Sequence, residues 1–335
     1  MPDTGDTIMC IVGPTAAGKS ALALSLAEQR GLAILSADSR QIYRQFDIGT
    51  AKPSPDEQRR VPHYGVDVIE PQQRYSAHRW ATEAAGWSDD AWARGTPPLV
   101  VGGTGLYVRA YVEPLDAVPD LDPAHRAQLA PWLETLDRAA LVQWCTRLDP
   151  DRAHLGRTQL LRAIETVLLT GRRLSDQFRE HAGDTRAGTT RAVRYLVVDP
   201  GPVLADRIAA RVHAMVRNGF FEEVERLRGT VPSDAPAWNA CGYRAVREAL
   251  DGTSTRAHAI ERTIIESRQY AKRQRTWFRH QLPDDAVTRI NPDAADAMAM
   301  VQAWWDSAQN RFLATQPAAE RHAGAPMGAA DGTRS

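Results

Sequence analysis

Residues 11–20 read IVGPTAAGKS, and the spacing G-x-x-x-x-G-K-S inside them admits few backbone arrangements. An apolar run, Ile8 to Val12, comes before it and suits the end of a buried strand. Ala21-Leu22-Ala23-Leu24-Ser25-Leu26-Ala27 follows with the composition of a helix. Gly13 and Gly18 let the intervening chain, Pro14, Thr15, Ala16 and Ala17, fold its N–H groups into a nest at the helix start. There the unpaired donors and the helix dipole favour an anion. Lys19 is placed to reach outer phosphates, and the Ser20 hydroxyl to sit on a Mg2+ that bridges them. The strand and helix on either side, and not the letters alone, set this loop apart from an ordinary glycine turn.

The remaining chain extends the same pattern. Strand-like runs (Ile8 to Val12, Leu32 to Leu35, Leu99 to Val101) alternate with helix-like stretches (20–30, 76–94), which predicts an α/β fold: a P-loop NTPase-like parallel sheet flanked by helices. The first part of this core spans 1–114. Residues 115–191 are poor in strands and rich in Leu, Ala and Arg, and read as an inserted helical domain, with one helix over 158–170 closed by Gly171. RYLVVDP, 194–200, resembles a returning core strand, so 192–314 completes the core with long amphipathic helices expected over 201–228 and 254–280. The tail, 315–335, is small, polar and rich in Pro and Gly, a disordered composition.

Charge and cysteine content narrow the setting. Lys plus Arg and Asp plus Glu both number 41, so affinity for nucleic acid must come from a local patch. Cys10, Cys145 and Cys241 form no C-x-x-C pair, which indicates neither a disulfide framework nor a zinc site. Without an export signal or a run of membrane-spanning length, the expectation is a cytoplasmic chain with no membrane partner, and a monomer. Lysine is rare: Lys19, Lys52 and Lys272 stand against an arginine-rich background. A compact ammonium and a planar fork do different work. For Lys52 and Lys272 a specific role and a solvated surface cation both remain open.

A nucleotide- and ATP-binding protein of this loop class usually carries an acid at the end of a second apolar strand to help hold Mg2+. Here PLVVGGTGLY ends in Gly102-Gly103-Thr104-Gly105 with no carboxylate. LAILSADSRQIY delivers Asp38, but among Ser36, Ser39, Arg40 and Gln41, a cluster suited to an organic substrate as well as to a metal. Near the C-terminus Arg268, Lys272, Arg275 and Arg279 recur at i, i+4, i+7 and i+11, and so fall on one helical face. Acidic residues are nearly absent from 267–283. This stripe reads as a contact to a phosphate backbone.

GPTAAGKS, SADSRQIYRQFDIGTAKP (36–53), VGGTGLY (101–107), CGYR (241–244) and RQYAKRQRTWFR (268–279) occur in one order. Together they resemble the tRNA dimethylallyltransferase, or tRNA isopentenyltransferase, family of bacterial type. The resemblance implies a prenyltransferase that moves a dimethylallyl group from dimethylallyl diphosphate to N6 of adenosine 37 in the tRNA anticodon stem-loop, on a loop that grips diphosphate rather than ATP. It implies Asp38 as the base, with Lys19 and Thr104 beside it in the reaction, and Gly13 to Ser20 around the diphosphate. It also implies tRNA contacts at Asp38, Ser39, Arg40, Gln41, Gly242, Tyr243 and Arg244. Two points depart from this pattern or stay open. The family's Gln-Arg-x-x-Arg-Ala segment reads Thr158-Gln159-Leu160-Leu161-Arg162-Ala163, which keeps Arg162 as a tRNA contact and loses the Gln-Arg half. Arg207 and Arg211 are i, i+4 on one helix; a role at the diphosphate and a solvated face stay equally open.

Overall fold

A computed structural model describes residues 7–113, 121–185 and 192–315. In chain order the elements are β1 (Ile8–Val12), α1 (Lys19–Arg30), β2 (Ala33–Ser36), α2 (Pro55–Arg60), β3 (His63–Tyr64), α3 (Ala77–Ala93), β4 (Pro98–Gly102) and α4 (Gly105–Val112). Then come α5 (Pro123–Thr135), α6 (Arg138–Leu148), α7 (Arg157–Thr170), α8 (Leu174–Thr185), β5 (Val193–Val198), α9 (Leu204–Arg217), α10 (Phe220–Arg228), α11 (Tyr243–Leu250), α12 (Arg256–His280), β6 (Val287–Ile290) and α13 (Ala297–Thr315).

The strands form one sheet in the order β3-β2-β4-β1-β5-β6, with every neighbouring pair parallel. A parallel strand covered on both faces must be apolar throughout, and β1 is the case in point: Cys10, Ile11 and Val12 are fully buried. On one face Leu26 and Ala27 of α1 pack with Trp304 and Trp305 of α13 against Ile11 and Leu196. On the other, Trp80 of α3, Tyr107 of α4, Phe220 of α10 and Tyr243 of α11 enclose Phe46 and Leu35. From β1 the chain crosses to β2, whereas from β4 it returns past β1 to β5. In open sheets of this kind ligands bind outside the carboxyl ends of the strands where that direction reverses. The loops after β1, β2 and β4 converge there: Ala37 N donates to Val101 O at 2.8 Å, and Thr104 N to Ala37 O at 3.1 Å.

The chain divides into two compact units, with boundaries at 112/113 and 190/191. The unit holding α5 to α8 has its own apolar centre of Leu133, Leu141, Cys145, Leu160, Ala163 and Ile164. Its helix α7 ends as the sequence anticipates, on Gly171 at φ 71. The helix expected over 201–228 is instead two. Gly219, at φ 97, breaks it between α9 and α10, and the turn aims Phe220, Phe221 and Glu223 into the core. The tail assigned to 315–335 lies outside the described residues except for Thr315, where α13 ends.

Candidate functional site

The phosphate-loop motif folds as a tight turn between β1 and α1. Gly13 adopts φ 149 and Gly18 φ 92, and a Cβ on Gly13 would lie 2.2 Å from Val198 O, so this turn requires glycine. Ala16 also sits at positive φ, 61, a conformation an L side chain takes only at a cost of order 1 kcal/mol. Lys19 opens α1 with 9% of its surface exposed, and its ammonium donates to Pro14 O at 2.7 Å. The loop borders a cavity of about 410 Å3, into which Ser20, Asp38, Gln41, Arg207, Arg211 and Gln274 also project.

A second cavity, of about 60 Å3, shares Thr15, Ala16, Asp38 and Arg211 with the first and adds Arg40, Met215, Cys241 and Tyr270. Asp38 therefore stands where the two adjoin. Its carboxylate accepts from Arg40 N at 2.8 Å, an Asx turn that fixes one oxygen. Burial lowers the Lys19 pKa from 10.5 to about 8, with Asp38 opposing the shift and Arg211 adding to it. Burial also disfavours the charge on Arg211, and again Asp38 opposes this. Two desolvated cations face one carboxylate, an arrangement complementary to an anion of more than one charge.

Arg207 and Arg211, left open by the sequence, separate in the structure. Arg211 donates to Thr15 Oγ1 at 2.9 Å and so braces the loop. Arg207 is ion-paired with Asp293, at the side of the cavity. Thr104 accepts from Ser39 N at 3.1 Å and is also hydrogen-bonded to the Tyr270 hydroxyl, whose pKa burial pushes up to about 12. Ser39, Thr104 and Tyr270 thus form one hydrogen-bonded group next to Asp38 in the chain and in the second cavity. Among the described residues no three His, Cys, Asp or Glu side chains are grouped to hold a metal ion.

Several residues assigned to tRNA from the sequence have internal roles instead. Tyr243 is completely buried and its hydroxyl donates to Glu223 at 2.6 Å, so it reaches no ligand. Gly242, at φ 87, spends its N–H on Glu266 and its carbonyl on Val246, and a Cβ there would lie 2.5 Å from Thr263 Cγ2. Arg244, beside it, is exposed. The Gln41 amide accepts from Ser36 Oγ at 3.0 Å and donates to Ala51 O at 2.9 Å, which anchors the loop after Phe46. Arg275 breaks the basic stripe: it pairs with Asp199 and donates to Gly201 O, both at 2.5 Å. Arg268, Lys272 and Arg279 remain exposed. At about 100° per residue the stripe lies across α12 from Ser267, Tyr270 and Gln274, the side chains that line the cavities. Arg162, on α7 in the other unit, lies 3.8 Å from Glu165.

Glu223, Tyr270 and Gln274 were missed. Tyr270 and Gln274 recur at i, i+4 opposite the stripe, a helical-wheel signal present in the sequence. Glu223 had no signal: an acid on an amphipathic helix reads as solvated, yet this one is 1% exposed. It accepts from the backbone N–H groups of Asp47, Ile48 and Gly49 at 3.1, 2.7 and 3.3 Å. Lys52 closes the same loop. Its ammonium lies 2.5 Å from Asp47 and 2.6 Å from Asp67 with the side chain 4% exposed, so this rare lysine is an internal tie, which a solvent-facing cation could not be.

Comparison with known proteins shows the family. The family model described as IPP transferase matches residues 41–281, and that described as isopentenyl transferase matches residues 6–63. The chain is 43% identical over 286 residues to a protein of Gloeobacter violaceus named tRNA dimethylallyltransferase, covering 83% of this chain and 90% of that one. A protein of the same name from Halorhodospira halophila is 42% identical over 82% of this chain and 90% of its own. The crystal structure of the full-length tRNA isopentenylpyrophosphate transferase from Bacillus halodurans superposes with a TM-score of 0.65 at 29% identity, covering 92% of this chain and 98% of that one.

Proposed function

The chain belongs to the IPP transferase family, and from that premise we propose that it transfers the dimethylallyl group of dimethylallyl diphosphate to N6 of adenosine 37 in tRNA, releasing diphosphate. The observation that carries the reading is Asp38 at the junction of two cavities, facing Lys19 and Arg211.

In this reading the diphosphate occupies the larger cavity. Lys19 and Arg211 meet the charge that grows on the leaving oxygen as the allylic carbon–oxygen bond breaks, and in a desolvated site such cations count for more than in water. The N6 amine is a poor nucleophile, because its lone pair is delocalised into the adenine ring. Asp38 takes its proton as the new carbon–nitrogen bond forms, and the same carboxylate stabilises positive character on the allylic carbon. Thr104, held by Ser39 and Tyr270, supplies a fixed polar group on the acceptor side. The base must leave the anticodon-loop stack to reach Asp38.

Ser20 and Asp38 both line the larger cavity, and one or two protein oxygens beside a diphosphate suit Mg2+, which keeps most of its shell as water and phosphate oxygen. Mg2+ there would neutralise leaving-group charge. Ser39, Arg40, Arg244 and the exposed Arg268, Lys272 and Arg279 are the tRNA contacts this reading retains, with Arg162 from the helical unit. The enzyme would work in the cytoplasm as a monomer.

The test is incubation with unmodified tRNA and radiolabelled dimethylallyl diphosphate, followed by nucleoside analysis. Label in N6-dimethylallyladenosine is the expected result. Label in no nucleoside, or transfer to free AMP in preference to tRNA, would overturn the proposal.

A further inference from the structure

Gln274 joins two walls of the larger cavity that the chain otherwise builds from distant segments. Its Oε1 accepts from Thr15 N, in the phosphate loop, at 2.8 Å, and its Nε2 donates to Gly103 O at 2.8 Å. Thr15 and Gly103 follow different strands, β1 and β4, and Gly103 adjoins Thr104, which holds Ser39 beside Asp38. Gln274 is 6% exposed, so both hydrogen bonds form away from bulk water. Gly103 matches it in shape: a Cβ there would lie 2.3 Å from Gln274 Nε2, so only glycine leaves room for the amide. The bridge also takes the Thr15 N–H out of the set of loop donors open to an anion.

We propose that Gln274 is a positioning residue that fixes the phosphate loop against the acceptor wall, so that Lys19 and Arg211 on one side and Asp38 and Thr104 on the other are held in register before either substrate arrives. This rests on the transferase reading above. An amide accepts toward Thr15 and donates toward Gly103 without a charge at any pH. A carboxylate keeps the first bond and sets an oxygen against the Gly103 carbonyl, whereas a protonated carboxylic acid of the same shape makes both bonds again. Burial and the facing carbonyl both raise the pKa of such a group.

The experiment compares single-turnover transfer by wild type, Gln274→Glu and Gln274→Met across about pH 5 to 8, each rate divided by the wild-type rate at the same pH to cancel the pH dependence that all three proteins share. Gln274→Met keeps the volume and loses both bonds. It should be slower by about 100-fold, the cost of a misplacement of order 1 Å, at a ratio that does not change with pH, while its Kd for tRNA stays within about threefold. Gln274→Glu should match it near pH 8 and climb well above it on acidification. A Gln274→Glu ratio that is flat with pH, or that never exceeds that of Gln274→Met, overturns the proposal, as does a normal rate in Gln274→Met. The Gln274→Glu ratio is read within one folded protein, so it decides the matter even if the methionine variant fails to fold. A wild-type chain that transfers nothing to tRNA overturns the transferase reading, and this one with it; slow variants beside an active wild type separate the two.

Discussion

Replacing Lys19 by methionine should make the ligand-free protein more stable and its phosphate loop useless. The Lys19 ammonium is buried, with a pKa of about 8 against 10.5 for an ordinary lysine. At 1.36 kcal/mol for each unit, holding the charge inside the fold at neutral pH costs about 3 kcal/mol. Methionine removes that cost and forfeits one hydrogen bond to Pro14 O, worth about 1 kcal/mol. The net gain of about 2 kcal/mol corresponds to a rise in Tm of roughly 5 °C. The gain has a distinctive pH dependence. The folded-state pKa lies below the unfolded value, so between about pH 8 and 10.5 the unfolded chain binds more protons and wild-type stability climbs with pH. The advantage of Lys19→Met is therefore full below about pH 8 and gone above about 10.5. Thermal unfolding followed by circular dichroism at pH 7 and pH 10.5 measures it, and added diphosphate should raise the Tm of wild type but not of the variant. A variant less stable than wild type at pH 7, or a gap of equal size at both pH values, would refute the reasoning.

Asp38→Asn keeps size and one hydrogen-bonding oxygen but accepts no proton, so single-turnover transfer should slow by about 100- to 10,000-fold with both substrates still bound; a near-normal rate at neutral pH removes Asp38 as the base. Gly49→Ala places a Cβ 2.3 Å from Phe220 Cε2 and 2.5 Å from Tyr243 Cε2, and should destabilise the protein by about 1–3 kcal/mol in urea unfolding, whereas a neutral effect would mean the Glu223-anchored loop yields easily. Alanine at Lys272 and Arg279 should lower the slope of log K for tRNA against log salt by up to about one unit per contact, read by filter binding at several salt concentrations. Arg275→Ala should leave that slope alone and lower the Tm, because its guanidinium ties Asp199 to Gly201; a changed slope with an unchanged Tm would return Arg275 to the RNA-facing set.

Which parts of this site were legible in the sequence follows from how local their causes are. The phosphate loop is a matter of backbone freedom at Gly13 and Gly18 and of a strand and helix on either side, all within about a dozen residues, and the structure places it as read. The place of Asp38 was legible for a similar reason, since the short strand that ends at Ser36 delivers it to the carboxyl edge of the sheet. The alternation of apolar runs with helices set the parallel sheet. A strand of two residues such as β3, and the paired edge strand β6, carry too little periodicity to be seen.

The sequence by itself determined a glycine-bounded turn between a strand and a helix, a parallel sheet, and the identity of the groups available for chemistry, because each depends on φ, ψ and residue type over a short span. Which of those groups face the cavities depends on contacts between residues far apart in the chain, and only the tertiary structure decided that. Tyr243 is withdrawn from any ligand by Glu223, 20 residues earlier. Arg275 is drawn out of its stripe by Asp199, 76 residues away, and Gln274, its neighbour, reaches a loop 259 residues distant. Helical spacing puts cations on one face but does not say what lies opposite that face. Burial of Lys19 and Arg211 beside a single carboxylate, and with it the charge balance of the cavity, arises only when the sheet, α9 and α12 close around them.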